Sequence, residues 1–194
     1  MHPIYTTRCF VLRSFERGEA DRVLALLTED FGFIWALARG MRKHTAKLRG
    51  HTQDLSCATV SLVKGKRGWR VTNAAPWEPL SFLSFDGSRR ECRARLATFL
   101  LRLLDTDEKN SDVFAAVTDA LFFLDGSDFP PLLSVVELIT VIRILKSLGY
   151  GGERMTVAPL HEERGFSDAL LGFVGREQAA LTRMVNESLT ASHL

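Results

Sequence analysis

The sequence predicts an α+β protein in which a small five-stranded barrel precedes an α-helical domain. Two patterns carry this expectation. Over roughly the first 80 of the 194 residues, apolar side chains alternate or run in short blocks bounded by turn residues, the pattern of strands. Beyond Pro76 and Pro79 they recur at helical spacing. The length and the 46 % apolar content provide for a sizeable core and argue against disorder. The expected domains are residues 1–80 and 81–194.

The strands follow in order. Arg8-Cys9-Phe10-Val11-Leu12-Arg13 is the first, residues 22–28 the second and residues 33–38 the third; the turn Glu29-Asp30-Phe31-Gly32 joins the last two. Residues 55–63 form a longer fourth run, rich in β-branched and small residues. It meets Trp69-Arg70-Val71-Thr72 across Lys64-Gly65-Lys66-Arg67-Gly68, a glycine-bounded connection suited to a hairpin. Five short strands in about 75 residues fit the OB-fold, with an SH3-like barrel as the competing architecture.

The helices are marked by caps and faces. Ser88-Arg89-Arg90-Glu91 has the form of a capping box and opens a segment with Cys92, Leu96, Phe99, Leu100 and Leu103 on one face. Phe114, Val117, Leu121 and Leu124 share a face of a second helix that stops at Gly126. A third, from about Pro131 to Gly149, is apolar nearly all round except for Glu137, Thr140 and Arg143, as expected at the centre of a bundle. A last helix is expected from about Arg176 to Leu189, after a glycine-rich stretch at 150–174 with no clear pattern. Core packing is the expected role of Phe122, Phe123 and Phe129.

Charge separates along the same line. The whole chain carries a formal net charge of only +2, which argues against a nucleic-acid partner. Residues 1–80, however, hold 13 basic and 7 acidic side chains, and residues 81–194 hold 12 basic and 16 acidic ones. Such asymmetry fits a polyanion-facing part joined to a part with another task.

Within the basic part, Arg39, Arg42, Lys43, Lys47 and Arg49 fall in eleven residues that contain no acid. Cations clustered on a loop between strands suit phosphates, and each phosphate neutralised releases counterions. The same run also serves as a solvated face that keeps a protein soluble. A second group, Lys64, Lys66, Arg67 and Arg70, surrounds Trp69 at the expected hairpin. Aromatic rings interleaved with cations suit a single-strand groove, whereas tryptophan in a small barrel more often belongs to the core; Trp35 poses the same alternative.

Signals for catalysis are weak. Cys9, Cys57 and Cys92 are odd in number and widely spaced, which excludes a legible disulfide framework or thiolate zinc site and suits reduced thiols in a cytosol. The five histidines show no metal-ligand spacing, and His161-Glu162-Glu163 reads as a solvated acidic loop. Gly149-Tyr150-Gly151-Gly152 lacks the Lys-Ser/Thr of a phosphate loop. No cofactor is expected. Met1-His2-Pro3-Ile4-Tyr5 lacks the apolar core of a signal peptide, and no stretch has the roughly 18 apolar residues of a membrane span.

The N-terminal part resembles a known family. Val11-Leu12-Arg13-Ser14, then residues 18–28 with their Gly18-Glu19-Ala20-Asp21-Arg22 stretch, then Gly32 and Ala38-Arg39-Gly40-Met41-Arg42-Lys43, are similar to the opening of the bacterial DNA repair and recombination protein RecO. Leu48-Arg49-Gly50 and Gln53 continue the likeness, and Leu148-Gly149-Tyr150 resembles the end of the family's central helix. The resemblance implies an OB-fold followed by a helical domain, and a cytoplasmic, nucleoid-associated protein that is not an enzyme. Such proteins bind single- and double-stranded DNA, anneal complementary strands, associate with RecR and the single-stranded-DNA-binding protein, and help load RecA. Many members carry a four-cysteine zinc cluster after the position of Tyr150; with no cysteine beyond Cys92, this chain is expected to lack it. Glu19, Asp21 and Arg22 are expected to pair at a strand entrance, a role in the fold. A protein-interaction scaffold with the same fold and weak DNA binding is the alternative function, and an RNA-binding barrel is compatible with the same loops.

Overall fold

A computed structural model describes residues 3–40, 51–78, 80, 87–126, 132–150, 157, 160 and 164–191. The chain divides into two compact units, one of residues 1–84 with 97–111 and one of residues 85–96 with 112–194.

The first unit is built on a closed barrel with the strand order β1-β2-β3-β5-β4, returning to β1. The strands are β1 (Ile4–Arg17), β2 (Asp21–Thr28), β3 (Gly32–Ala38), β4 (Cys57–Gly65) and β5 (Gly68–Pro76). β3 and β5 run parallel where they meet; the other pairs are antiparallel. This is the partly Greek-key barrel of the OB-fold, as the sequence leads one to expect. Closure follows from the length of β1. Its first half pairs with β4 (Ile4↔Val63 to Phe10↔Cys57), and its second half pairs with β2 (Cys9↔Thr28 to Arg17↔Asp21). The register slips between Val11 and Arg13, and a bulge there bends one strand around two partners. β1 therefore extends well past the expected segment at both ends. Its polar ends do not alternate as a half-buried strand would, and pairing rather than burial keeps them extended.

Alternation puts Leu24, Leu26, Ile34, Val60, Leu62 and Trp69 into the barrel core. β4 and β5 meet across a two-residue turn, Lys66-Arg67, tighter than the five-residue connection expected, because Gly65 and Gly68 themselves pair in the ladder. Thr106 forms an isolated parallel bridge to Phe33 in the part of this unit that follows the barrel in sequence.

Four helices are described: α1 (Gly87–Leu103), α2 (Ser111–Gly126), α3 (Leu133–Ser147) and α4 (Asp168–Ala191). In the second unit, α3 is lined by buried Val135, Val136, Ile139, Ile142 and Leu145, among others. Its expected polar stripe is used internally. The buried Thr140 hydroxyl donates to the Val136 carbonyl at 2.7 Å. Glu137 accepts two hydrogen bonds from Arg95 Nε, both at 2.9 Å, and one from its Nη2 at 2.7 Å. Arg143 donates to the carbonyls of Leu160 and Gly165.

α4 begins eight residues before its expected start. Leu170, Leu171 and Val174 continue the face of Leu181 and Val185, and Gly172 and Gly175, which obscure that pattern in the sequence, are tolerated within it. Ser167 Oγ accepts from the Leu170 N–H at 3.2 Å, an N-terminal cap that replaces the lost backbone partner. Phe122 departs from its expected core role, being 40 % exposed, whereas Phe123 packs on Phe166 with centroids 5.0 Å apart. Phe129, Pro131 and His161-Glu162-Glu163 lie outside the described residues. No described helix is long and apolar enough to cross a membrane.

Candidate nucleic-acid interface

The expected cations fall into two groups on the barrel. Arg39 is exposed just beyond the end of β3, and Arg70 is exposed on β5, paired with Leu37. Two residues separate Leu37 from Arg39, so by strand alternation Arg39 continues Leu37's side of the sheet, which Arg70 shares by register. Lys66 and Arg67 are exposed at the tip of the β4–β5 turn. Arg42, Lys43, Lys47 and Arg49 lie outside the described residues.

Lys64 and Trp69 take another course. They are opposite one another in the β4–β5 ladder, Trp69 buried and Lys64 exposed. Trp69 is 8 % exposed and has ring contacts with Tyr5 and Phe31, and its Nε1 donates to Asp107 at 3.0 Å. Lys64 Nζ lies 4.9 Å from the Trp69 ring centroid and 3.7 Å from the Asp107 carboxylate. Asp107 thus serves both the indole and the ammonium at one end of the barrel. Its own N–H donates to the Phe33 carbonyl at 2.8 Å. Trp69 closes that end of the core, and its faces are taken by neighbouring rings and by Lys64.

Arg13 and Phe15, which the sequence does not single out, and Trp35, which it leaves between groove and core, enlarge the exposed face. After the bulge, Arg13 stands opposite Ala25 and Phe15 opposite Val23; Ala25 in turn pairs with Trp35, and Val23 with Leu37. Arg13, Phe15, Trp35 and Leu37 therefore share the outer side of β1, β2 and β3, continuous with Arg70 on β5. Phe15 is 42 % and Trp35 40 % exposed, and their rings contact each other at 5.6 Å between centroids. Trp35 also meets Phe33 edge-on at 5.5 Å, and the Arg13 guanidinium carbon is 5.3 Å from the Phe15 centroid. Small Ala25, fully buried in register between Arg13 and Trp35, leaves room for larger neighbours to lean across it. The signal in the sequence is the period-two series Arg13, Phe15, Arg17, hidden when the first strand is ended at Arg13.

The Gly18–Arg22 stretch has a structural role, carried by partners other than those expected. Asp21 Oδ1 accepts the Gly40 N–H at 2.9 Å, which fixes the start of the Arg39 loop against β2. Arg22 Nη1 donates to Ser14 Oγ at 3.2 Å, and Ser14 Oγ donates to Asp54 Oδ1 at 2.5 Å.

The three cysteines are buried and form no disulfide. Burial pushes the Cys9 thiol far up, and burial, then the Glu137 charge, raises Cys92 to about 11. These are inert thiols, because the thiolate is the nucleophile. The second unit has a cleft of about 480 Å³ lined by Asp112, Asp119, Arg143, Lys146 and Arg164 among others, of mixed sign and therefore less suited to a polyanion than the barrel face. Among the described residues no three His, Cys, Asp or Glu side chains come together as a metal site.

Comparison with known proteins agrees with the barrel. Residues 1–82, which contain all five strands, match the family model described as "Recombination protein O N terminal". The DNA repair protein RecO of Heliobacterium modesticaldum is 33 % identical over 181 residues, 89 % of this chain and 64 % of its own length. RecO of a Dehalococcoides mccartyi strain is 33 % identical over 162 residues, 82 % of this chain and 62 % of its own length. RecO of Desulfitobacterium hafniense is 29 % identical over 147 residues, 76 % of this chain and 52 % of its own length. The chain spans less than two thirds of the length of these relatives. With its whole barrel inside the N-terminal match and about a third of its residues shared with RecO proteins over most of its length, this chain is a relative of the recombination protein O family.

Proposed function

We propose that this protein acts in DNA repair and recombination as a mediator that works by binding rather than catalysis. It holds single- and double-stranded DNA on the barrel, anneals complementary strands, and with RecR and the single-stranded-DNA-binding protein assists the loading of RecA. The observation that carries this reading is the grouping of exposed cations on one part of the barrel: Arg39 and Arg70 on one sheet face, with Lys66 and Arg67 at the adjacent turn. The names of the relatives give the biological setting.

The physical account of annealing is electrostatic. Two strands repel through their phosphates. A surface that neutralises several phosphates on each releases their counterions and lowers the repulsion that opposes pairing. Gly40, next to Arg39, is tied to β2 by its N–H to Asp21 hydrogen bond, which holds the exposed Arg39 at the sheet end.

The test is acceleration of annealing of complementary labelled strands over a salt series. The protein is expected to speed annealing at low salt, with the effect falling steeply as salt rises. The triple variant Arg39→Ala, Arg42→Ala, Lys43→Ala is expected to weaken strand binding and to flatten the salt dependence by about one unit of slope per lost phosphate contact. No acceleration at saturating protein would reject the mediator in favour of a scaffold that binds DNA poorly. An unchanged slope would remove the loop from the site.

A further inference from the structure

We infer that Phe15 and Trp35 form a base-stacking platform on the outer face of β1–β3, flanked by Arg13 and Arg70, that selects unpaired bases of a DNA single strand. The inference rests on the DNA-binding reading above and deepens it. The basic turn and loop account for phosphate binding, which does not distinguish one strand from two; the aromatic face supplies the distinction.

Three observations point to a nucleic-acid strand as the occupant of this face. First, two large rings lie about 40 % exposed and in mutual contact on a sheet whose register would allow small polar residues there. An isolated exposed ring needs no explanation, but a contacting pair continuous with Leu37 marks a recognition surface. Second, cations predominate around the rings. Arg13 lies against Phe15, and Arg70 lies beside Leu37 in register. Asp21, the acid of β2 that shares this side by alternation, already accepts the Gly40 N–H. Aromatic rings set among cations are complementary to a strand whose bases stack while its phosphates meet guanidinium groups. Third, the two ring planes are tilted by 54° with centroids 5.6 Å apart, so the pair does not extend a regular base stack. A base that lies on either ring must leave its own stack, which costs little in a single strand and far more in a duplex.

The platform is separate from Trp69, whose ring faces are occupied within the barrel end. Trp77 is buried as well, at 5 % exposure, which leaves Trp35 as the tryptophan that reports on a ligand.

The experiment uses the full chain and two probes of identical charge: an oligothymidylate of about 12 nucleotides, within the site size of one OB-fold, and an abasic strand of the same length. Both should bind at low salt, the thymidylate about tenfold or more tightly, because each stacked base adds to affinity while the phosphates contribute equally. Thymidylate should quench tryptophan fluorescence and the abasic strand should not. The Trp35→Phe variant should keep most of the preference for thymidylate and lose the quenching. The double variant Phe15→Ala, Trp35→Ala, checked for folding by circular dichroism, should bind both strands equally, at the affinity the native chain has for the abasic one. Equal binding of the two strands by the native chain overturns the platform and leaves the phosphate-binding reading intact. Quenching that persists in Trp35→Phe overturns it too. If neither strand binds at low salt, both readings fall.

Discussion

Gly32 offers the sharpest test of how the barrel end is assembled. It sits at the start of β3 with φ +67°, and a Cβ placed there would come within 1.9 Å of the Glu108 carbonyl oxygen. Gly32→Ala therefore carries two penalties. The left-handed backbone costs an L-residue about 1–2 kcal/mol. The overlap is with backbone, so no rotamer change relieves it, and residues 106–109 must move away. That displacement loses the Asp107 N–H to Phe33 hydrogen bond at 2.8 Å and strains the Trp69 Nε1 to Asp107 bond at 3.0 Å, each worth about 1 kcal/mol. The expected total is about 3–4 kcal/mol.

Gly18→Ala is the control that separates the two penalties. Gly18 has φ +62° in the β1–β2 turn, and nothing lies within 4 Å of its Cβ position, so only the conformational cost of about 1–2 kcal/mol applies. Urea unfolding of the barrel, followed by tryptophan fluorescence, measures both variants, because buried Trp69 reports on this end of the core. A Gly32→Ala cost about 2 kcal/mol above that of Gly18→Ala is expected. Equal costs would refute the close approach of residues 106–109 to β3, and with it the role given to Asp107.

Other expectations follow from the same geometry. Asp107→Ala leaves the mostly buried Trp69 N–H without its acceptor and should cost about 1–3 kcal/mol in urea unfolding, while Lys64, relieved of a carboxylate, should strengthen strand binding at low salt. Lys66→Ala with Arg67→Ala should lower the salt slope of strand binding by up to about two units, measured by fluorescence anisotropy, with little effect on stability because both side chains are exposed at a turn. Cys92, with its thiol raised to about 11, should react with Ellman's reagent at neutral pH about a hundredfold more slowly than an ordinary thiol, and all three cysteines should become labelled on unfolding. The same shift has a signed effect on stability. Below about pH 9 the thiol is neutral in both folded and unfolded chains, and stability is fully present; between about pH 9 and 11 only the unfolded thiol ionises, so stability falls by up to about 2–3 kcal/mol, measurable as a lower urea midpoint.

The strands were legible in the sequence where alternation coincides with burial. β2 and β3 appear within a residue of their expected bounds, because Leu24, Leu26, Ile34 and Ala36 are core residues flanked by turns. β1 was legible only in its middle. Its ends are extended because β2 and β4 pair with them, and a non-local ladder leaves no mark on a strand's own composition. α4 was hidden for the opposite reason: Gly172 and Gly175 mimic a loop, yet Leu170, Leu171 and Val174 are buried and their packing outweighs the intrinsic cost of glycine in a helix.

The same distinction explains the site. Arg39, Lys66, Arg67 and Arg70 were found because charge density is a local property, readable along the chain. Arg13, Phe15 and Trp35 were not assembled because their proximity depends on two registers, Arg13↔Ala25 and Ala25↔Trp35, together with a bulge that sets which side of β1 faces out. Removing that bulge would put Ser14 opposite Val23 and turn Phe15 to the opposite side of the sheet, since side chains alternate at every step. The slip at Val11/Arg13 is thus a device of the site as well as of closure: it lets one strand keep Cys9 and Val11 in the core and still present Arg13 and Phe15 outward, beside Trp35.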